Sequence, residues 1–281
     1  MSVTWEEAGW EQLTPRVGRR RLPGWDCTVG LVMGEEAALM IDAGSSLREG
    51  ARLRSEARRL LGAIDAGASP YEGTEPPSET RRPRDDGQPR SDTRRLHGDG
   101  RRVTHLVLTH PHFDHVFGAA AFAGVEVFGA VGLDTVLAHG HEALRADAVR
   151  HGLDPRQADE AADLLVRPRH HVSGEWTLDL GGGTQVLLAN VGPGHTGHDL
   201  VVLVPGSPPW PEVVFCGDLV EESGEPQAGT DAVPSQWPAA LDRLLALGGE
   251  DALYVPGHGA VVNAGFVRAQ RDALAARFGV S

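Results

Sequence analysis

The segment His-Pro-His-Phe-Asp-His at 110–115 constrains this chain more than any other feature. It places three imidazoles and a carboxylate at the end of an apolar run that is typical of a buried strand. Residues two apart on an extended chain point to the same side, so His110 and His112 share one face. Asp114 and His115 follow where the chain turns. The segment therefore predicts a strand end that holds metal, with a geometry that suits two adjacent ions.

Three later segments share one design, in which an apolar strand ends in a possible metal ligand beside glycine. They are Gly194-His195, Gly217-Asp218 and Gly257-His258. Glycine lets the backbone turn sharply and come close to an ion. Imidazole and carboxylate groups are suitable zinc ligands, and a catalytic zinc keeps one position for water. Together with the histidine-rich segment, they predict one metal site built from several strand ends.

Strands and helices alternate along the rest of the chain. The apolar stretches 27–33 and 37–42 flank Gly34-Glu35-Glu36 and predict a hairpin, and 47–61 has the spacing of an amphipathic helix. Further strands are predicted at 103–108, 125–130, 185–190, 200–204, 213–216 and 252–255, and helices at 118–122, 133–166 with a break at 152–155, 238–247 and 266–278. This alternation implies sheet layers covered by helices.

Residues 66–100 interrupt the pattern with proline, glycine and polar residues and with hardly any large apolar side chain. They predict a disordered insertion within a single domain that spans 1–281. The arginines of this stretch could bind an anionic partner, but the acidic residues among them favour a solvated loop. We expect deletion of 68–98 to leave metal content and turnover intact.

Composition limits the partners and the compartment. The chain has 39 acidic and 26 basic residues, a formal charge of −13, which argues against a nucleic-acid partner. Its two cysteines, Cys27 and Cys216, lie outside any C-x-x-C pair, so neither a disulfide framework nor a cysteine zinc site is predicted. No signal peptide or membrane span is apparent. We expect a soluble, cytoplasmic protein that acts on a small molecule.

In the order of these motifs, the sequence resembles the metallo-β-lactamase fold superfamily of hydrolases. Asp42 in Ile-Asp-Ala-Gly matches its first motif, 110–115 matches its H-x-H-x-D-H signature, and His195, Asp218 and His258 match its third to fifth motifs. The resemblance implies an α/β (α+β) fold, a four-layer αββα sandwich of two mixed β-sheets flanked by helices. The site would lie at the edge where the two sheets meet.

The resemblance also implies a binuclear zinc site, with iron or manganese as other possible metals. The ligands divide into two triads and a bridge: His110, His112 and His195 for the first zinc, Asp114, His115 and His258 for the second, and Asp218 between them. Asp42 has two possible roles. It either orients ligands by hydrogen bonding or only closes the predicted hairpin.

The implied activity is zinc-dependent hydrolysis of an ester, thioester, lactone or related carbonyl compound. Two cations that share one water lower its pKa, so a metal-bridging hydroxide can attack, and Asp114 can hold it in orientation. The chain has no G-x-S-x-G pattern for a serine nucleophile. Asp218 as a bridge argues against a β-lactam hydrolase. Too few residues follow His258 for the helical domain of glyoxalase II.

Three alternatives stay open. The first is a persulfide dioxygenase, which resembles this superfamily but holds a single iron. The second is β-lactam cleavage as a promiscuous activity, and the third is a metal-dependent scaffold without catalysis. Two zinc ions per chain would favour hydrolysis, one iron with oxygen consumption the dioxygenase, and no metal the scaffold.

The other notable side chains are assigned to structure rather than to metal. His198 is either a support for the ligands or a hydrogen-bonded core residue. Cys216 is predicted to pack as a small apolar group, and Trp237 is either a pocket wall or the anchor of a helix start. Four histidines are predicted to lie on the surface: His139, His141, His170 and His171. The helical region 133–171 is predicted to form a lid over the pocket.

Overall fold

A computed structural model describes residues 3–65 and 102–280, which form twelve strands and seven α-helices. The predicted insertion at 66–100 lies outside the described residues. Among the described helices, none is both long enough and apolar enough to cross a membrane.

The elements follow one another in the order strand hairpins, helix, and then alternating strands and helices. The strands are β1 (Glu11–Thr14), β2 (Val17–Arg21), β3 (Thr28–Met33), β4 (Ala38–Ile41), β5 (Val103–Val107), β6 (Glu126–Ala130), β7 (His170–Val172), β8 (Glu175–Asp179), β9 (Gln185–Ala189), β10 (Val201–Val204), β11 (Val213–Glu221) and β12 (Leu253–His258). The helices are α1 (Leu47–Asp65), α2 (Phe113–Val116), α3 (Leu133–His139), α4 (His141–Arg150), α5 (Pro155–Asp163), α6 (Trp237–Gly248) and α7 (Ala264–Phe278), with a 3-10 helix at Ala119–Phe122.

The strands form two mixed sheets. The first contains β1 to β7 in sequence order, antiparallel up to β4 and parallel from β4 to β7. The second has the order β12-β11-β10-β9-β8, in which only β11 and β12 are parallel. The chain therefore completes one sheet before it begins the other.

Three buried apolar clusters separate four layers. One lies between the first sheet and the helices α1 to α5, a second between the two sheets, and a third between the second sheet and α6 and α7. Strands β3 and β4 are buried at every position because both faces of their sheet are covered. The predicted αββα sandwich of two mixed sheets is confirmed.

Most predicted elements are confirmed, but several strands differ. Strand β11 continues through Asp218 to Glu221 instead of ending at 216, because Gly217, with φ of 53°, absorbs an irregularity in its pairing with β12. His258 is likewise the last residue of β12. The polar strands β1, β2, β7 and β8 were not predicted from the sequence.

The prediction that the helices of 133–171 cover the pocket as a lid is wrong. Residues 133–163 are helical with the expected break before Pro155, but their apolar side chains, such as Leu137 and Leu144, belong to the core beneath the first sheet. The turn after α4 approaches the predicted site. There the ring of His151 stacks on Phe113, with centroids 5.9 Å apart, and the His151 carbonyl accepts a hydrogen bond from Trp25.

Candidate metal centre

The predicted ligands converge at one edge of the sandwich. Asp42 follows β4, and the segment 110–115 follows its parallel neighbour β5, so both lie at the carboxyl ends of paired strands. His195 lies in the loop between β9 and β10, while Asp218 and His258 lie on the parallel pair β11 and β12. A backbone bridge between Cys27 and His258 joins the two sheets at this point.

One half of the site contains the predicted first triad. The ligand atoms of His110, His112, His195 and Asp218 all lie within 4.8 Å of one another. His112 Nδ1 is 2.9 Å from His195 Nε2, and Asp218 Oδ2 is 3.5 Å from His110 Nε2 and 3.4 Å from His195 Nε2. This group can hold one metal ion.

The other half contains the predicted second triad. Ligand atoms of His115, Asp218 and His258 form a second group within 4.8 Å. Asp218 reaches His115 Nε2 at 3.2 Å with Oδ1 and His258 Nε2 at 3.3 Å with Oδ2. Asp114 Oδ2 lies 3.4 Å from His258 Nε2 and 3.7 Å from His115 Nε2. Asp218 thus stands between both halves, where a bridging carboxylate would be.

Each of the five imidazoles is held by a hydrogen bond on its outer nitrogen. The partners are Thr109 Oγ1 for His110 Nδ1 (2.9 Å), Asp231 Oδ2 for His112 Nε2 (3.1 Å), Asp42 Oδ2 for His115 Nδ1 (2.9 Å), the Gln227 carbonyl for His195 Nδ1 (3.0 Å) and the Trp25 carbonyl for His258 Nδ1 (2.7 Å). A carbonyl or carboxylate oxygen can only accept, so the outer nitrogen carries the proton. In a neutral ring, the inner nitrogen then offers a lone pair to the centre of the site.

Asp42 supports two of these rings. Its carboxylate accepts hydrogen bonds from the Thr109 amide and hydroxyl, both at 2.8 Å, and from His115 Nδ1. Because the Thr109 hydroxyl donates to Asp42, it is free to accept from His110. The contacts therefore support the orienting role of Asp42, one of the two roles that the sequence left open.

Two buried polar atoms at the centre have no hydrogen-bond partner among the described residues. They are His110 Nε2 and Asp218 Oδ1. Buried polar atoms are rarely left unsatisfied, and each such case needs a physical cause. A cation between the imidazoles and the carboxylate would satisfy both atoms, and nitrogen and oxygen donors of this kind fit zinc.

The charges of the site suit metal binding as well. Burial lowers the pKa of His195 to about 4 and that of His110 well below its usual range, so both rings are neutral. For Asp218, burial favours the protonated form, but the surrounding imidazoles outweigh it and hold the pKa well below its usual range. Burial lowers the pKa of His258, yet Asp218 and Asp114 raise it overall to about 9. Without a cation, the carboxylates therefore draw a proton onto His258.

Several residues of the site were not found from the sequence. Cys27 Sγ lies 3.2 Å from the Asp114 carbonyl oxygen, and Cys27 forms a further possible metal group with Asp114 and His115. Burial raises the pKa of this thiol to about 12. Asp231, whose side chain is 45% exposed, comes from the loop after β11. Thr109 adjoins the histidine-rich segment and could have been suspected, whereas Cys27 and Asp231 have no local signal.

The remaining predicted residues are not members of the metal-binding groups. His198 donates its backbone amide to Thr196 and contacts the Val131 carbonyl through Nδ1, at 2.9 Å. Cys216 is buried in the apolar cluster beside α6, as predicted. Trp237 begins α6, donates to the Leu219 carbonyl and packs against the His195 ring; it is fully buried, which agrees with the anchor of a helix start, one of the two roles that the sequence left open. His139, His141, His170 and His171 are all at least partly exposed, in agreement with their predicted surface positions.

Comparison with known proteins agrees with this geometry. A family model for the metallo-beta-lactamase superfamily matches residues 22–258. No curated protein matches the chain. Among solved structures, a metallo-beta-lactamase from Pontibacter korlensis is 18% identical with a TM-score of 0.61, over 94% of this chain and 97% of that chain. The metallo-beta-lactamase FIM-1 from Pseudomonas aeruginosa, in its mono-zinc form, is 16% identical with a TM-score of 0.59, over 97% and 96%. At these identities the likeness shows the fold alone.

Proposed function

Because the chain belongs to the metallo-β-lactamase superfamily, we propose that it is a hydrolase with two zinc ions that cleaves an ester, thioester, lactone or related carbonyl compound. Membership of this superfamily supports a metal-dependent hydrolase in general. The zinc, the second ion and the substrate class are the proposal.

The observation that carries the proposal is the arrangement of the five imidazoles. Each is fixed from outside on one nitrogen and turns the other toward one centre, where His110 Nε2 and Asp218 Oδ1 have no hydrogen-bond partner among the described residues. A histidine cluster kept only for packing would pair these two buried atoms, since buried polar groups without partners are costly. The two unpaired atoms therefore favour a site made for cations.

In the proposed site, His110, His112 and His195 hold the first zinc and Asp114, His115 and His258 the second, with Asp218 between them. When bound, the two ions would supply Lewis acidity and a water that loses its proton near neutral pH. Iron and manganese are suited to the same donors.

The chain's own residues give the site an open and a closed side. The side chains of His110 and His115 are fully buried, whereas that of His112 is 25% exposed and those of Asp114 and His258 are each 11% exposed. A substrate therefore approaches from the side of His112, Asp114 and His258. On that side the Asp114 carboxylate can accept a hydrogen bond from the attacking water and orient it toward the substrate carbonyl.

Metal analysis after expression without added metal tests the proposal first. Two zinc ions per chain are expected, whereas one iron with oxygen consumption would indicate a persulfide dioxygenase, and no metal a scaffold. The second group of possible ligands, His115, Asp218 and His258, favours two ions over one.

A substrate panel tests the reaction. It compares nitrocefin, acyl-homoserine lactone, lactoylglutathione, p-nitrophenyl esters and bis-p-nitrophenyl phosphate. Cleavage of nitrocefin would place the chain with the β-lactamases to which its structure is similar. We expect His112→Ala and Asp114→Ala to abolish hydrolysis while circular dichroism stays unchanged. His170→Ala, at the start of β7 and outside the metal-binding groups, should retain hydrolysis. Unchanged rates in the first two variants would end the hydrolase proposal.

A further inference from the structure

Cys27 lies against the second half of the metal site. It directly precedes β3, and its backbone pairs with His258. Its buried Sγ is 3.7 Å from His115 Nδ1 and 3.8 Å from His115 Nε2. The ligand atoms of Cys27, Asp114 and His115 all lie within 4.8 Å of one another.

The surroundings of Cys27 differ from those of an ordinary core cysteine. Cys216, the other cysteine, is equally buried, but it packs in the apolar cluster between the second sheet and α6 and α7. Cys27 instead faces a carbonyl oxygen, a carboxylate and an imidazole. The S–H group can donate to the Asp114 carbonyl oxygen, but this bond does not account for the carboxylate and the imidazole that also lie beside the sulfur.

Asp218 supplies an independent sign of a cation beside His115. Its Oδ1 is buried, has no hydrogen-bond partner among the described residues and lies 3.2 Å from His115 Nε2. This unsatisfied oxygen and the sulfur of Cys27 therefore approach the same imidazole.

We propose that the Cys27 thiolate is a further ligand of the second metal ion, beside Asp114, His115 and His258. This inference rests on the proposed function, because it requires that the site binds metal. On binding, the S–H bond breaks, the proton passes to solvent and the sulfur lone pair bonds to the ion, with no change of oxidation state.

The observed separation agrees with such a bond. Zinc–sulfur and zinc–nitrogen bonds of about 2.3 and about 2.1 Å place two ligands of one tetrahedral ion about 3.6 Å apart. Cys27 Sγ and His115 Nε2 are 3.8 Å apart. A sulfur donor also makes the second half of the site softer than the first, and thiolate favours zinc over manganese.

Cobalt substitution tests this ligand without an activity assay. Protein loaded with two equivalents of Co²⁺ should show the intense near-ultraviolet band of thiolate-to-cobalt charge transfer. Cys27→Ser should lose this band but keep the weaker visible bands of cobalt, and its affinity for the second zinc should fall about tenfold or more. Cys216→Ser is the matched control, and it should keep the band.

X-ray absorption at the zinc edge gives a second measurement that does not depend on altering Cys27. In the Cys216→Ser background, it should detect one sulfur at about 2.3 Å for every two zinc ions. No zinc–sulfur distance, or a charge-transfer band that persists in Cys27→Ser, would overturn the inference and leave the hydrolase proposal standing. A protein that takes up no metal would overturn both.

Discussion

Replacing Asp42 with glycine tests whether its carboxylate fixes the orientation of the proposed ligands His110 and His115. Asp42 is only 2% exposed and accepts three hydrogen bonds, two from Thr109 and one from His115. Its φ of 59° lies in the left-handed region, which glycine adopts without strain. Asp42→Gly therefore removes the acceptor and leaves the path of the backbone intact.

The expected effect follows from the three bonds. Each buried donor left without an acceptor costs about 1–3 kcal/mol, and water that enters the vacated space recovers part of this cost. We expect the free energy of unfolding of the metal-free protein to fall by about 3–5 kcal/mol. The His115 ring also loses the group that fixes its proton on Nδ1, so the affinity for zinc should fall about 10- to 100-fold.

Two measurements on the same samples check this reasoning. Urea unfolding, followed by circular dichroism, gives the stability, and competition with a chromophoric chelator gives the zinc affinity. The stability and the zinc affinity of Asp42→Asn should lie between those of the wild type and Asp42→Gly, because the asparagine amide offers one acceptor oxygen in place of two.

Glu56 provides the matched control. This buried carboxylate also accepts three hydrogen bonds, from Trp10, Arg20 and Arg52, but it lies away from the metal-binding groups. Glu56→Ala should lose stability and keep its zinc affinity. An unchanged zinc affinity in Asp42→Gly, or an equal loss in Glu56→Ala, would refute the orienting role.

Three further predictions concern the same centre. Asp231→Ala should weaken zinc binding about tenfold in the competition assay, less than Asp42→Gly, because water can replace this exposed partner of His112. Gly257→Ala should lower the zinc retained after dialysis, since the added Cβ would overlap Asp218 Oδ1; Gly174→Ala, at a position with open space, should not. Zinc affinity should rise with pH from about 6 to about 9, because zinc must displace the proton whose pKa on His258 is raised to about 9. An affinity that stays flat from pH about 6 to about 9 would contradict this proton displacement.

The parts of the molecule that the sequence predicted are those with a local pattern. The hairpin of β3 and β4 has apolar runs around a glycine turn, and α1 has a helical repeat. The histidine-rich segment carries four predicted ligands within six residues, so a metal site can be predicted there without knowledge of the fold. The αββα sandwich came from the family resemblance, and it was confirmed.

The parts that the sequence did not predict depend on distant contacts. Strand β2 contains three arginines and was not predicted, but Arg20 is buried because it pairs with Glu56 on α1 at 2.7 Å. Cys27 and His115 are 88 residues apart, and His112 and Asp231 are 119 apart. Such pairs have no signature in the sequence, since only the path of the folded chain brings them together.

The position of the site also bears on how the whole protein holds together. His110 to His115 follow a strand of the first sheet, whereas Asp218 and His258 lie on the second. Bound zinc would therefore link the two sheets of the sandwich, and its binding free energy would add to the stability of the folded protein. At a free zinc concentration of 100 times the dissociation constant, zinc binding would add about 2.7 kcal/mol to the free energy of unfolding. The melting temperature would then depend on the free zinc concentration, and a chelator would lower the stability of the protein as well as remove its activity.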